Sequence, residues 1–557
     1  MDKIKIPVGR SGFADIRKNG YYFVDKSGLI EELLRTEAVQ VTLITRPRRF
    51  GKTLAMNMLC EFFDIRKNNS GLFAGLSIAN NKELCSKWMN QYPVLFLSFK
   101  NIDGLDFKSA RKQLEIVISE ACIEHYYLLK SEKINEIKKE YFNLLARRKA
   151  DIADIKNSIN LLVNMIKNHY EKPIILLIDE YDVPLAKASE KGYYNEMLDI
   201  IKGMMQAVKD NNSLKFAVIT GCLRIAKESI FTGTNNFVSD TISDTRLNEY
   251  FGFTQKEVEE LLNKTGFSLY AEKIKEWYDG YHFGSFNIYC PWDVMNYVNN
   301  LLLGQVPDSG NFWENTSDNA IIRSFLERTD FDINGKFEIL LSGNYIKEKI
   351  IENFTYNILL SSEENLWSLL YMSGYLTRIY PDEIKDDILL PGQFALKIPN
   401  AEVMDIFKKN VKAWFTEKSA ESDRHELFAA LWNGDTKKLS KIISDLLFDT
   451  ISYHDYRESF YHAFITGLVS NAGFQVESNY ENGLGRSDIV IKDRKNRRAV
   501  VIEAKWADSE IHMDKECNNA LNQINKMQYT IKLEHSGYKT VGKLGISFWQ
   551  KMCMVKK

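Results

Sequence analysis

Two groups of residues have the types and spacing needed to work on phosphate. The first is the stretch Arg46, Pro47, Arg48, Arg49, Phe50, Gly51, Lys52 and Thr53. A tight turn between a strand and a helix presents backbone N–H groups to an anion. A lysine there reaches the β- and γ-phosphates, and a Ser or Thr hydroxyl holds Mg²⁺. Gly51, Lys52 and Thr53 supply the second half of G-x-x-x-x-G-K-[ST], but Arg46 stands where the first glycine belongs. The acidic partner follows at the end of the apolar run 173–179, where Asp179 and Glu180 stand together. An aspartate so placed holds Mg²⁺ through water, and a glutamate beside it polarises an attacking water. These two fragments, in this order, predict binding and hydrolysis of a nucleoside triphosphate. Arg46, Arg48 and Arg49 each read either as a phosphate contact or as a solvated charge, with Phe50 completing the loop. Thr220 ends a further apolar run and could sense the γ-phosphate, with Arg224 and Lys227 close behind, or it could simply end a strand before a basic helix.

The second group is Asp488, Glu503 and Lys505. Period-2 alternation puts Glu503 and Lys505 on one face of a strand, and the turn-forming residues 493–497 let that strand pair as a hairpin with the one that begins at Asp488. Two carboxylates can hold Mg²⁺, which activates water, while a lysine stabilises developing charge on phosphorus. That is phosphodiester hydrolysis. Arg486, Lys492, Arg494, Lys495, Arg497 and Arg498 make the segment locally basic, as a nucleic-acid backbone requires. The alternative is an ordinary strand pair with solvated charge.

The elements that must carry these residues can be read from periodicity. Near-continuous apolar runs at 39–45, 93–99, 173–179 and 215–220, separated by helical stretches, predict a mostly parallel sheet buried on both faces. Residues 251–305 read as helical, opening on Thr254 and Glu257 at capping-box spacing. Residues 306–420 read as mainly helical, with strands near 385–398. A helix over 456–472, strands at 473–480, 487–493 and 498–506, a helix over 514–530 and a last strand at 543–549 complete the chain. The fold class expected is α/β: a P-loop domain over 1–250, a helical lid over 251–305, a middle region over 306–420 and a C-terminal restriction-endonuclease-like α/β domain over 421–557.

The 557 residues carry a formal net charge of -1, which argues against a chain that binds nucleic acid through overall basicity. Seven scattered cysteines without a CxxC pair argue against a zinc site or a disulfide framework. No apolar run approaches the roughly 20 residues that span a bilayer, and the first 20 residues lack the apolar core of a signal peptide. A cytoplasmic location without a membrane partner is expected. His282, among aromatics, reads as a packed structural residue, as do Trp277, Tyr278, Tyr281 and Trp292.

At these residues the chain resembles a family of bacterial proteins with an AAA-ATPase-like domain and a C-terminal PD-(D/E)XK nuclease-like domain. The resemblance runs through GFADIRKNGYYFVDKS, RPRRFGKT, IDEYDVPL, ITGCLRIAKESIFTGTNN, FGFT and WYDGYHFG…NIYCPW, then LWSLLYMSGYLT, FYHAFITGL, SNYENGLGRSDIVI and IEAKW. It covers nearly the whole length and is least clear over about 306–365. The family's loop lacks the first glycine in the same way, so the resemblance makes Arg46 an expected residue. It implies a nuclease triad of Asp488, Glu503 and Lys505, with Glu481 and Gln523 in support. The resulting expectation is an ATP- and Mg²⁺-dependent enzyme. Asp179 and Thr53 hold one ion and Asp488 and Glu503 another, with nucleic acid, DNA foremost, as partner and a homo-oligomer as a compatible state. A signalling or scaffold NTPase with a non-cleaving C-terminal domain is the competing reading, and a nuclease on a static nucleotide-stabilised scaffold is a third.

Overall fold

The computed structural model describes residues 4–35, 39–225, 230, 237–305, 310–313, 333–352, 362–380, 383–384, 389–420, 424–450, 465, 468, 474–482, 485–550 and 552–557. The expected helix over 456–472 and the candidate Lys227 lie outside these residues, apart from two isolated positions in the helix. The chain divides into two compact units, one of residues 1–315 with 347–401, the other of 316–346 with 402–557. The first unit groups residues 251–315 and 347–401 with the N-terminal sheet.

The first unit is built on five parallel strands: β1 (Val41–Thr45), β2 (Val94–Ser98), β3 (Ile174–Asp179), β4 (Leu214–Gly221) and β5 (Phe237–Asp240), in the order β2-β3-β4-β1-β5. Every residue of β1 and β3 is buried, as it must be for strands covered on both faces. Helices α1 (Lys52–Phe63), α2 (Phe107–Glu124) and α3 (Ile152–Tyr170) follow β1, follow β2 and precede β3. Asp106 and Asp151 cap the starts of α2 and α3 by accepting backbone N–H groups. Helix α4 (Val183–Lys191) leaves the acidic end of β3. β1 lies between β4 and β5, so its C-terminal end and that of β4 adjoin, where open α/β sheets place their ligands.

Residues 251–305 are not wholly helical. The helices α5 (Gln255–Thr265), α6 (Ala271–Tyr278) and α7 (Pro291–Leu302) are present, and Thr254 and Glu257 form the expected capping box. Between α6 and α7 runs a hairpin of β6 (Tyr281–Phe283) and β7 (Phe286–Ile288). Its signal was a two-residue Gly284–Ser285 turn between aromatic residues. Gly284 has φ +53°, and a Cβ there would lie 2.2 Å from the Asn248 side chain. Further on, β8 (Thr377–Ile379) pairs antiparallel with β9 (Gln393–Lys397); β9 lies in the stretch where strands were expected and β8 before it.

The second unit ends in a five-stranded sheet of β10 (Gln475–Asn482), β11 (Gly485–Asp493), β12 (Arg498–Trp506), β13 (Thr540–Trp549) and β14 (Met552–Lys556), in that order. β10–β11–β12 and β13–β14 pair antiparallel and β12–β13 parallel, with helix α8 (Met513–Lys526) as the crossover between the parallel pair. The fifth strand, β14, was not expected. Among the described residues no helix is long and apolar enough to cross a membrane.

Candidate functional sites

The chain leaves β1 through Arg46 and enters α1 through Gly51, whose φ of +87° would strain any other residue. Lys52 is 3% exposed, and its ammonium group donates to the carbonyls of Arg46 and Pro47, both at 2.9 Å. It therefore spans the loop that it terminates. The Thr53 hydroxyl donates to Asp179 Oδ2 at 2.8 Å. The Thr220 hydroxyl donates to Asp179 Oδ1 at 2.6 Å and accepts the Glu180 N–H at 3.3 Å. Asp179 is fully buried and thus joins the ends of β3 and β4 to the start of α1. Glu180 has φ +54°, a left-handed conformation rare outside glycine, which swings its side chain out of the strand alternation. Arg224 lies four residues beyond Thr220 and is only partly exposed.

Three side chains of the loop, Arg46, Arg49 and Phe50, are built into the protein, whereas in the sequence Arg46 and Arg49 read either as phosphate contacts or as solvated charge. Arg46 is 0% exposed; its guanidinium donates to the carbonyls of Thr45 at 2.8 Å and Asp240 at 2.9 Å and to Asn248 Oδ1 at 2.8 Å. It lies 5.3 Å from the Phe251 ring, and burial lowers its pKa to about 10. Phe50 is buried with its ring 5.0 Å from those of both Tyr281 and Phe283. Arg49 has φ +72° and packs 5.6 Å from the Trp292 ring. The physical reason is shared: the hairpin and α7 form an aromatic wall against the loop, and these three side chains pack on it. Arg48 stays half-buried. The residues that sequence reasoning missed are this wall, together with Asp240 and Asn248. Only the hairpin turn signalled any of it.

A prediction follows for Arg46. Replacing it with Met leaves buried carbonyls unpaired and should cost about 3–5 kcal/mol of stability. Arg46→Lys should also destabilise, because an ammonium cannot reproduce the planar fork. Thermal and denaturant unfolding would measure this. Full stability with lost nucleotide binding would instead make Arg46 a phosphate ligand.

His282 behaves as a structural residue. It is 8% exposed, stacks 5.5 Å from Tyr380 at 16°, and burial lowers its pKa.

In the second unit the hairpin brings the expected residues together. The Asp488 N–H donates to Glu503 Oε2 at 3.4 Å, and the Ala504 N–H donates to Asp488 Oδ2 at 2.9 Å. The Lys505 ammonium lies 3.5 Å from Glu503 Oε1, and the Gln523 side-chain amide of α8 donates to the same oxygen. Gly545, opposite Glu503 in β13, permits that reach: a Cβ there would sit 2.4 Å from the Cys517 carbonyl of α8. Glu481 is on β10 opposite Arg486. Burial and the neighbouring Asp488 raise the Glu503 pKa to about 7, with Lys505 opposing. Two carboxylates crowded in this way are a fit for a cation. Among the described residues no three His, Cys, Asp or Glu side chains form a cage.

The basic residues are arranged differently from expectation. Lys492 pairs with Glu477 at 2.6 Å, and Arg498 pairs with Asp493 at 2.9 Å and stacks 4.3 Å from Trp432. Arg494, Lys495 and Arg497 are on the β11–β12 turn, at the end of the hairpin away from Asp488. Six residues of strand put that turn roughly 20 Å from the carboxylates.

The raised Glu503 pKa has a sign that can be tested. The folded state holds this proton more tightly than the unfolded chain, so the contribution to stability is complete below the ordinary value of 4.5 and is lost as pH rises through about 7. In a chelator, Glu503→Gln should therefore stabilise the protein at pH 8 by about 1–3 kcal/mol and flatten its melting temperature between pH 5 and 8. A wild-type profile already flat over that range would show that Glu503 is not perturbed.

Residues 7–231 match the family described as Predicted AAA-ATPase, and residues 456–557 match the PD-(D/E)XK nuclease superfamily. A protein of Azotobacter chroococcum mcd 1, described as an uncharacterized protein in the vnfD 5′ region, is 25% identical over 503 residues, which cover 88% of this chain and 87% of that protein.

Proposed function

We propose, for a chain that joins an AAA-ATPase-like domain to a PD-(D/E)XK nuclease superfamily domain, that it binds and hydrolyses ATP and that its nucleotide state controls Mg²⁺-dependent cleavage of a nucleic-acid phosphodiester. The observation that carries this is the presence on one chain of two clusters that each combine buried carboxylate with lysine. In the first, Lys52 exchanges its loop carbonyls for phosphate oxygens, and Thr53 and Asp179 hold Mg²⁺. Glu180 orients water for attack on the γ-phosphorus, and Thr220 ties that carboxylate pair to β4.

In the second, Asp488 and Glu503 hold the ion, Lys505 stabilises charge on the phosphorane oxygens, and Gln523 and Glu481 support the cluster. Bound Mg²⁺ supplies Lewis acidity and a water of lowered pKa. The competing signalling reading shares the first site and assigns only binding to the second. The test is incubation of plasmid DNA, linear DNA and RNA with Mg²⁺ or Mn²⁺, with and without ATP, while phosphate release is followed. Cleavage of at least one substrate together with ATP hydrolysis is expected. Hydrolysis and nucleic-acid binding without any cleavage would favour the signalling reading.

A further inference from the structure

The sequence IDEYD contributes Asp179 and Glu180 to the nucleotide site and leaves Tyr181 and Asp182 without a part in it. Both are buried, at 0% and 2% exposure. Asp182 is the N-cap residue of α4, where an aspartate ordinarily accepts an N–H of its own helix, and it makes no such bond. Its Oδ2 instead accepts the N–H groups of Cys222 and Leu223, both at 2.9 Å. The Tyr181 hydroxyl donates to the Leu223 carbonyl and accepts the Ile225 N–H, both at 2.9 Å. Gly221 makes this approach possible, since a Cβ there would lie 2.7 Å from both Asp182 Oδ1 and the Tyr181 ring. Four hydrogen bonds thus fasten residues 222–225, which carry Arg224 and directly follow Thr220, to the residues directly following Glu180. The fastened segment also borders the phosphate loop, with Cys222 Sγ 3.7 Å from the Lys52 ammonium.

We infer that Tyr181 and Asp182 are positioning residues for ATP hydrolysis: they lock the end of β4 to the end of β3, so that Thr220 and Arg224 keep a fixed place relative to Asp179 and Glu180. This rests on the ATPase reading above. Neither residue touches phosphate in this role. A carboxylate and a hydroxyl are diverted from local capping and from solvent to hold the backbone that follows a neighbouring strand.

The test is Tyr181→Phe, which keeps the ring and removes only the hydroxyl bridge, in the full chain with Mg²⁺. The expected result is a kcat about tenfold lower, as misplacement at a reacting centre produces. KM for ATP and the affinity for a non-hydrolysable ATP analogue should stay within about twofold, since the loop and Lys52 are untouched. Asp182→Asn, which keeps one acceptor oxygen, should retain more activity than Asp182→Ala. Wild-type hydrolysis with unchanged kcat in Tyr181→Phe would overturn this inference alone. So would loss of analogue binding in step with kcat, the mark of a merely structural role. Absence of wild-type hydrolysis would overturn the ATPase reading and this inference with it.

Discussion

Lys52→Ala should lower ATP hydrolysis by about 10²–10³-fold or more, the usual scale for deleting a charged group that stabilises a transition state. Lys52 is nearly buried and already donates to two loop carbonyls at phosphate-binding distance, so no other cation can take over its position without moving the loop. The variant should also lose nucleotide affinity if, as proposed, the ammonium contacts phosphate before and during transfer. Removing it leaves the Arg46 and Pro47 carbonyls unpaired, at a cost of about 1–3 kcal/mol. A melting curve belongs beside the activity assay for that reason. If the nucleotide site controls the nuclease, Lys52→Ala should also fix cleavage at its nucleotide-free rate, insensitive to added ATP. Phosphate release at the wild-type rate would remove the loop from the mechanism.

Asp488→Ala should abolish cleavage, by about 10³-fold or more if it removes several kcal/mol of metal-dependent stabilisation. ATP hydrolysis in the absence of nucleic acid should be unchanged. The Asp488 carboxylate accepts the Ala504 N–H and crowds Glu503, so its loss would remove the proposed ion ligand and let the Glu503 pKa fall back. Asp488→Asn separates these effects: it retains an acceptor for the Ala504 N–H while removing the charge. Parallel loss of cleavage in both variants with unchanged ATP hydrolysis would assign the defect to the ion site. Cleavage persisting in both would exclude these carboxylates from catalysis.

Where side chains meet within one or two adjacent elements, the sequence was informative. Strands β1 to β4 announced themselves as apolar runs because each is buried on both faces. The pairing of Asp488 with Glu503 followed from one hairpin and strand parity. The destinations of Arg46, Arg49 and Phe50 did not follow, because their partners Asn248, Trp292 and Phe283 are about two hundred residues or more away. A basic loop beside a glycine reads as phosphate-binding on composition alone, and only tertiary packing turns it inward. Tyr181 and Asp182 escaped because their partners, Cys222, Leu223 and Ile225, follow a different strand. The basic cluster after β11 was legible as charge and not as geometry. Counting along the strand already places Arg494 at the end of the hairpin away from Asp488. β5 and β14, FVSD and MCMVK, lack the run of branched aliphatic residues that marks β1 and β2, and so were not distinguished from loop.

Control of cleavage by nucleotide is tested most directly by measuring the cleavage rate of one DNA substrate in Mg²⁺ under three conditions: no nucleotide, ADP, and ATP with Glu180→Gln. On the proposed roles, that variant should still bind ATP through Lys52 and Thr53 but lack the carboxylate that orients water, and so should hold the triphosphate state. Nucleotide control predicts a rate in the ATP-held state that differs about tenfold or more from the other two, with Lys52→Ala showing no such difference. Equal rates in all three conditions would contradict it and leave two independent phosphate-handling sites on one chain.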